Sequence, residues 1–304
     1  MDKDFLIQEI LKLLKTENVG RKTISKLFNL SERKASELLA IAKYLLEKET
    51  KIQIEDIEEE THKAQKHYLQ PKPKIAILSD IHFPFNINLD PILTFLAKYE
   101  PDTIILNGDI VDFYEISMFS KDKTINDINI GIEKTIELIK NIRSFYKNTI
   151  YYRIGNHEER LIKYLWNNPS FKDYLEFEKL FHAQEYNIKF VYKQDLLFTH
   201  NINIFHGNEL NLKNVKYAAE RLLERFSCNI IIGHFHNKQE RVKYKLENGE
   251  YIPIGAWVAG CLCQKPLYSA HNTYFSNGFI LLEYFDENFF QVKNILVIKD
   301  KILV

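Results

Sequence analysis

Apolar positions along the chain fall into two textures. In the first seventy residues they recur at helical spacing. Residues 4–16 place Phe5, Leu6, Ile10, Leu13 and Leu14 on one stripe, and a break at Asn18-Val19-Gly20 follows. A short helix then carries Ile24, Leu27 and Phe28 inward. The turn Asn29-Leu30-Ser31 leads into a longer helix that buries Ala35, Leu38, Leu39, Ala42, Leu45 and Leu46, with Ser31 as its N-cap. Gln70-Pro71-Lys72-Pro73 is a stiff, non-helical hinge. The expected organisation is a small all-α domain over 1–70 and a second domain over 74–304.

From Lys74 the pattern becomes short apolar runs separated by helical stretches. Strands are expected at 74–79, 103–107, 149–154, 201–205 and 229–233. Between them lie a helix opened by Asp90 as N-cap and Pro91 as N1, a long amphipathic helix around 125–147, and another around 212–227. Beyond 234 strand follows strand: a hairpin turning at Asn248-Gly249, then runs near 278–285 and 290–298. The alternation predicts a layered α/β domain with a buried sheet.

Composition narrows the class. The 304 residues are 45% hydrophobic and 27% charged, with 41 Lys+Arg against 41 Asp+Glu, which describes a folded chain able to bury a sizeable core. Zero net charge excludes a basic coat over the whole surface. It does not exclude a local patch: residues 21–48 hold seven Lys/Arg against three Glu, whereas 49–60 hold six acids against one Lys. Residues 74–304 are near neutral, with 27 basic against 28 acidic side chains. No apolar run is long enough to span a bilayer. The N-terminus lacks a secretory pattern, and three cysteines suit reduced thiols, so a cytoplasmic location is expected and no membrane partner.

Chemistry concentrates where the strands end. Asp80-Ile81-His82, Gly108-Asp109-Ile110-Val111-Asp112, Gly155-Asn156-His157-Glu158, His206-Gly207 and Gly233-His234-Phe235-His236 each follow an apolar run. Polar residues therefore gather at the carboxyl edge of a sheet, where α/β proteins bind ligands. Any one block is ordinary turn chemistry. All five together supply oxygen and imidazole donors suited to Mn, Fe or Zn rather than to thiolate-seeking ions.

In this order the blocks resemble the calcineurin-like metallophosphoesterase superfamily, whose pattern is D-x-H, G-D-x-x-D, G-N-H-[DE], H and G-H-x-H. The likeness spans roughly residues 74–300. It implies a layered β-sandwich flanked by helices and two divalent metal ions, with Mn favoured. One ion would be held by Asp80, His82, Asp109 and His236, and the other by Asp109, Asn156, His206 and His234. It further implies His157 as the catalytic histidine, oriented by Asp112, with hydrolysis of a phosphoester by a metal-activated water. Protein Ser/Thr phosphatases carry Arg after G-D-x-x-D and Arg before G-N-H, where this chain has Phe113 and Ile154. The stretch GDIVDFYEIS with GNHEERL is more similar to a bacterial and phage-borne branch.

Arg153 and Arg160 flank the third block and are candidates to bind substrate phosphate, the alternative being solvent exposure or pairing with Glu158 and Glu159. Cys261-Leu262-Cys263 has no companion pair at zinc-site spacing and reads as a packed strand end. The N-terminal helices resemble a helix-turn-helix unit. With Arg33 and Lys34 at the start of the second helix, Arg33, Ser36 and Glu37 would then meet DNA bases, and Arg21, Lys22 and Lys26 its phosphates. The alternative is a bundle for docking or for a homo-oligomer. The leading expectation is a phosphodiester hydrolase acting on nucleic acid. A small-molecule phosphatase or cyclic-nucleotide phosphodiesterase, and an inactive DNA-binding regulator, are the alternatives.

Overall fold

The computed structural model describes residues 3–16, 20–36, 38–39, 42, 64–69, 74–117, 127–212, 215–247, 249–264, 275–286 and 289–304. The chain divides into two compact units, Met1–Ala64 and Gln65–Val304. In the first, α1 (Lys3–Thr16) and α2 (Arg21–Leu27) are followed by helical residues at 32–36, 38–39 and 42. Leu6, Ile7, Ile10, Leu11, Ile24, Ala35, Leu38, Leu39 and Ala42 are buried together. The Ser31 hydroxyl accepts from the Lys34 N–H at 3.3 Å, the capping bond expected of it. Leu27, read as inward, is instead 60% exposed: α2 ends there after about two turns, and Phe28 packs against the cluster in its place. Glu37, Leu45, Leu46, the acidic stretch 49–60 and the hinge 70–73 lie outside the described residues.

The larger unit is built on two sheets. Thirteen strands are described: β1 (Lys66–Tyr68), β2 (Lys74–Leu78), β3 (Thr103–Asn107), β4 (Ile150–Arg153), β5 (Ile188–Val191), β6 (Leu196–Thr199), β7 (Ile202–Ile204), β8 (Asn229–Ile232), β9 (Gln239–Glu247), β10 (Glu250–Val258), β11 (Gly278–Tyr284), β12 (Phe290–Ile298) and β13 (Lys301–Leu303). One sheet runs β13-β12-β11-β2-β3-β4-β5 and the other β1-β6-β7-β8-β10-β9. Strands β2 to β5 are mutually parallel, and β7, β8 and β10 are parallel neighbours in the second sheet.

Alternation along each strand sorts side chains into layers. Ile75 and Ile77 of β2 face between the sheets with Ile105, Leu197, Ile204, Ile231 and Leu282. Ala76 and Leu78 face the other way, onto α3 (Asp90–Tyr99), α4 (Ile128–Phe145) and α5 (Glu158–Asn167), where Leu96, Leu138, Ile142 and Leu161 complete the layer. On the second sheet's outer face, Leu222 and Leu223 of α6 (Ala218–Arg225) pack on Ile230, Ile232 and Ala256. The result is a β-sandwich flanked by helices.

The central strands and α4 fall within a few residues of their predicted positions. The N-cap of α3 differs: Asp90 is already helical, and the Asn88 side chain accepts its N–H at 3.2 Å. Strand β1 lies within residues 1–70, expected to be all-α. It pairs instead with β6, from Lys66↔Leu196 to Tyr68↔Phe198, and Leu69 is buried between the sheets. A three-residue run with one buried side chain gives no periodic signal, and its partner is 130 residues away.

Candidate metal centre

All five blocks converge at the carboxyl ends of β2, β3, β4, β7 and β8, so both sheets contribute. The turns are sharp. Asp80, His82, Asp109, His234 and His236 all take positive φ, between 53° and 67°, a left-handed conformation unusual for residues with a Cβ. Glycine is needed beside them: a Cβ on Gly155 would overlap the Asp109 carboxylate, and one on Gly233 would overlap Ser79 and Asp80.

Asp80 Oδ1 lies 3.1 Å from His236 Nε2 and 3.9 Å from His82 Nε2, and these two imidazole nitrogens are 3.1 Å apart. Asp109 Oδ2 lies 3.2 Å from His206 Nε2, 3.8 Å from His82 Nε2 and 3.9 Å from His157 Nε2. Among the described residues, three donor clusters have atoms close enough to share an ion: Asp109-His206-His234, His82-Asp109-His157 and His82-His236-Cys263. Three buried atoms of this group, Asp80 Oδ1, Asn156 Oδ1 and His206 Nε2, make no well-aligned hydrogen bond, the first and last meeting only an ion-pair neighbour at 3.1 and 3.2 Å. Unpaired polar atoms in a buried site are costly, and oxygen and imidazole donors fit a divalent cation.

Charge is balanced internally. Burial opposes ionisation of Asp80 and Asp109, but the surrounding imidazoles outweigh it and hold both carboxyls below the usual range. Burial likewise opposes the charged forms of His206 and His236, yet Asp109 and Asp80 raise them, His236 to about 9. His234 goes the other way, down to about 4, through burial and the neighbouring His206. A cation binding these atoms displaces protons from them, so its affinity weakens as the pH is lowered.

Asp112 acts on two rings. Its Oδ2 is 2.9 Å from His82 Nδ1 and 3.4 Å from His157 Nδ1, while its backbone carbonyl is 2.8 Å from His157 Nδ1. The shorter contact to His157 is thus the carbonyl, and the carboxylate serves His82 first. Arg160 lies beside them, with Nη1 2.9 Å from the Asp112 carbonyl and Nη2 3.1 Å from His157 Nε2.

Arg153 does not reach the site, contrary to the expectation that it binds substrate. Its side chain is fully buried, donating to Glu209 Oε1 and the Ile204 carbonyl at 3.0 Å each. Pointing inward from β4, it has no path to solvent. Neither arginine pairs with Glu158 or Glu159. Glu159 faces Lys193 and Lys163, and Glu158 is fully buried. Glu158 Oε2 accepts the N–H groups of Asp109 (2.9 Å) and Gly155 (3.0 Å), and Oε1 those of Ile110 (2.7 Å) and Val111 (3.1 Å) with the Tyr152 hydroxyl (3.0 Å). It ties the second and third blocks together, a role the sequence reading did not assign. Ser79 is another omission: its hydroxyl donates to Asp80 Oδ2 at 2.5 Å. A serine before an aspartate carries no distinguishing signal. In the first unit, Arg21, Lys22, Lys26, Arg33, Lys34 and Ser36 are all exposed.

Among the described residues no helix is long and apolar enough to cross a membrane. No curated protein matches the sequence. Among solved structures, Vps29 of Chaetomium thermophilum is similar at 10% identity with a TM-score of 0.40, covering 76% of this chain and 95% of that one. Residues 73–252, more than half of the chain and containing all five blocks, match the family described as calcineurin-like phosphoesterase. With its buried His/Asp clusters suited to divalent metal at the strand ends, the chain belongs to the calcineurin-like phosphoesterase family.

Proposed function

We propose that the protein is a dinuclear metal-dependent phosphodiesterase acting on nucleic acid, with Mn2+ as the favoured ion. The observation that carries the dinuclear reading is Asp109 Oδ2, one carboxylate oxygen placed within 3.8 Å of His82 on one side and 3.2 Å of His206 on the other. Asp80, His82, Asp109 and His236 would hold one ion, and Asp109, Asn156, His206 and His234 the other. When bound, such a pair would lower the pKa of a coordinated water and neutralise charge on the phosphoryl oxygens.

The remaining work falls to the chain's own side chains. His157 donates Nδ1–H to the Asp112 carbonyl, which leaves Nε2 facing the site. Burial disfavours its charged form, but Asp109 and Asp112 outweigh this and raise its pKa, so that the ring can carry a proton to the leaving oxygen. Arg160 now contacts Nε2. Moving onto a phosphate oxygen would free that nitrogen and satisfy the guanidinium. The basic side chains Arg21, Lys22, Lys26, Arg33 and Lys34, with Ser36, would recruit DNA to a catalytic unit that is itself near neutral.

The test is hydrolysis by Mn2+-loaded protein of an aryl phosphodiester, an aryl phosphomonoester, single-stranded DNA and duplex DNA, with Asp109→Asn as blank. Diester and DNA cleavage is expected; hydrolysis of the monoester alone overturns the reading. His157→Ala should abolish turnover with metal content unchanged. Loss of metal from that variant would make His157 a ligand.

A further inference from the structure

Three of the four histidines assigned as ligands, His82, His206 and His236, have Nδ1 anchored from behind, two by oxygen and one by sulfur. His82 Nδ1 meets Asp112 Oδ2 at 2.9 Å, and His206 Nδ1 meets the Asn107 carbonyl at 2.8 Å. His236 Nδ1 meets sulfur, Cys263 Sγ at 3.8 Å. Cys263 stands outside the five blocks and is absent from the family pattern quoted above, yet it closes a donor cluster with His82 and His236. Its side chain is buried, with the residue 2% exposed.

Its position is rigidly determined. The Cys263 carbonyl accepts from Asn277 Nδ2 at 2.8 Å, and residue 263 forms an isolated bridge with Asn86. The neighbouring Leu262 N–H donates to the Asp80 carbonyl at 2.9 Å, and the Gln264 N–H to the Phe85 carbonyl at 2.8 Å. The segment carrying the sulfur is therefore stitched to the loop carrying Asp80 and His82.

We propose that Cys263 is a positioning residue of the metal centre: its sulfur accepts the Nδ1–H of His236 and so aims the Nε2 lone pair at the ion shared with Asp80 and His82. This rests on the dinuclear reading above. Partners behind a ligating imidazole fix its tautomer and orientation. Sulfur is a weaker, more diffuse acceptor than a carboxylate or carbonyl oxygen, so His236 is the least firmly held of the three rings. It is also the most open, with 16% of its side chain exposed against 5% for His82 and none for His206.

The experiment is calorimetric titration of Mn2+ into the metal-free full chain, comparing wild type, Cys263→Ala and Cys263→Ser, with folding checked by thermal melting. Two sites in the wild type are the premise, and fewer than two would sink the dinuclear reading itself. Given two, Cys263→Ala should weaken one of them by about 10–100-fold, the usual cost of losing such a partner, and leave the other unchanged. Cys263→Ser, which retains an acceptor, should recover part of the loss. Equal weakening of both sites, or none, overturns the proposal. So does a thiolate-to-metal charge-transfer band in the Co2+-loaded wild type that Cys263→Ala lacks, because sulfur would then be a ligand. Should the alanine variant fail to fold, the serine variant and the cobalt spectrum decide.

Discussion

Replacing Glu158 by Gln is the sharpest probe of how the centre is assembled. The carboxylate is fully buried and accepts five hydrogen bonds, from the N–H groups of Asp109, Ile110, Val111 and Gly155 and from the Tyr152 hydroxyl. A glutamine has the same shape but only one accepting oxygen. With that oxygen toward Ile110, Val111 and Tyr152, the amide NH2 confronts the N–H groups of Asp109 and Gly155. Two buried donors lose their acceptor, at about 1–3 kcal/mol each, for a total of roughly 2–6 kcal/mol. Part is offset, because burial and the Asp109 charge raise the Glu158 pKa and make its charged form costly. The net loss should lower the melting temperature by on the order of 10 °C, at about 2–4 °C per kcal/mol for a unit of this size. The assay pairs a melting curve of metal-free protein with Mn2+ titration. Because Asp109 is held through its own N–H, metal affinity should fall along with stability. A variant that melts and binds metal like the wild type would refute the claim that this carboxylate organises the two loops.

Two further outcomes follow from other buried charges. Arg153→Leu should destabilise by about 3–5 kcal/mol, the range for breaking a buried pair, because Arg153 holds the Glu209 carboxyl below its usual pKa against burial. If Arg153 bound substrate after all, the variant would instead raise KM with little change in denaturant midpoint. His67, buried against Asp195 at 3.1 Å, has its pKa lowered by burial more than Asp195 restores it. Its unfolded form binds the extra proton, so its contribution to stability is complete above pH about 6.5 and is lost as pH falls through that value. In urea titrations at pH 5 and 7.5, His67→Gln should show a shallower acid loss than the wild type; an identical slope would show that His67 does not titrate between the two states.

The regular spacing of apolar residues determined the central strands, the long helix α4 and the hairpin of β9 and β10, because period-two and period-3.6 burial is a local property of the chain. The order of five short polar blocks at strand ends made the donor set legible, since a ligand at a sheet edge needs its residues immediately after the strands. Other features required three dimensions. Strand β1 depends on a partner 130 residues away, and the direction in which Arg153 leaves β4 decides that it meets Glu209 rather than solvent. Asp112 divides itself between two rings through side chain and carbonyl, which no spacing reveals. Glu158 and Cys263 owe their places to loops folding against one another: the first gathers backbone N–H groups of two blocks, and the second stands behind His236 because β-bridges bring a distant segment there. Local periodicity specifies which residues are buried and where strands end, whereas long-range pairing alone determines which polar atom faces which.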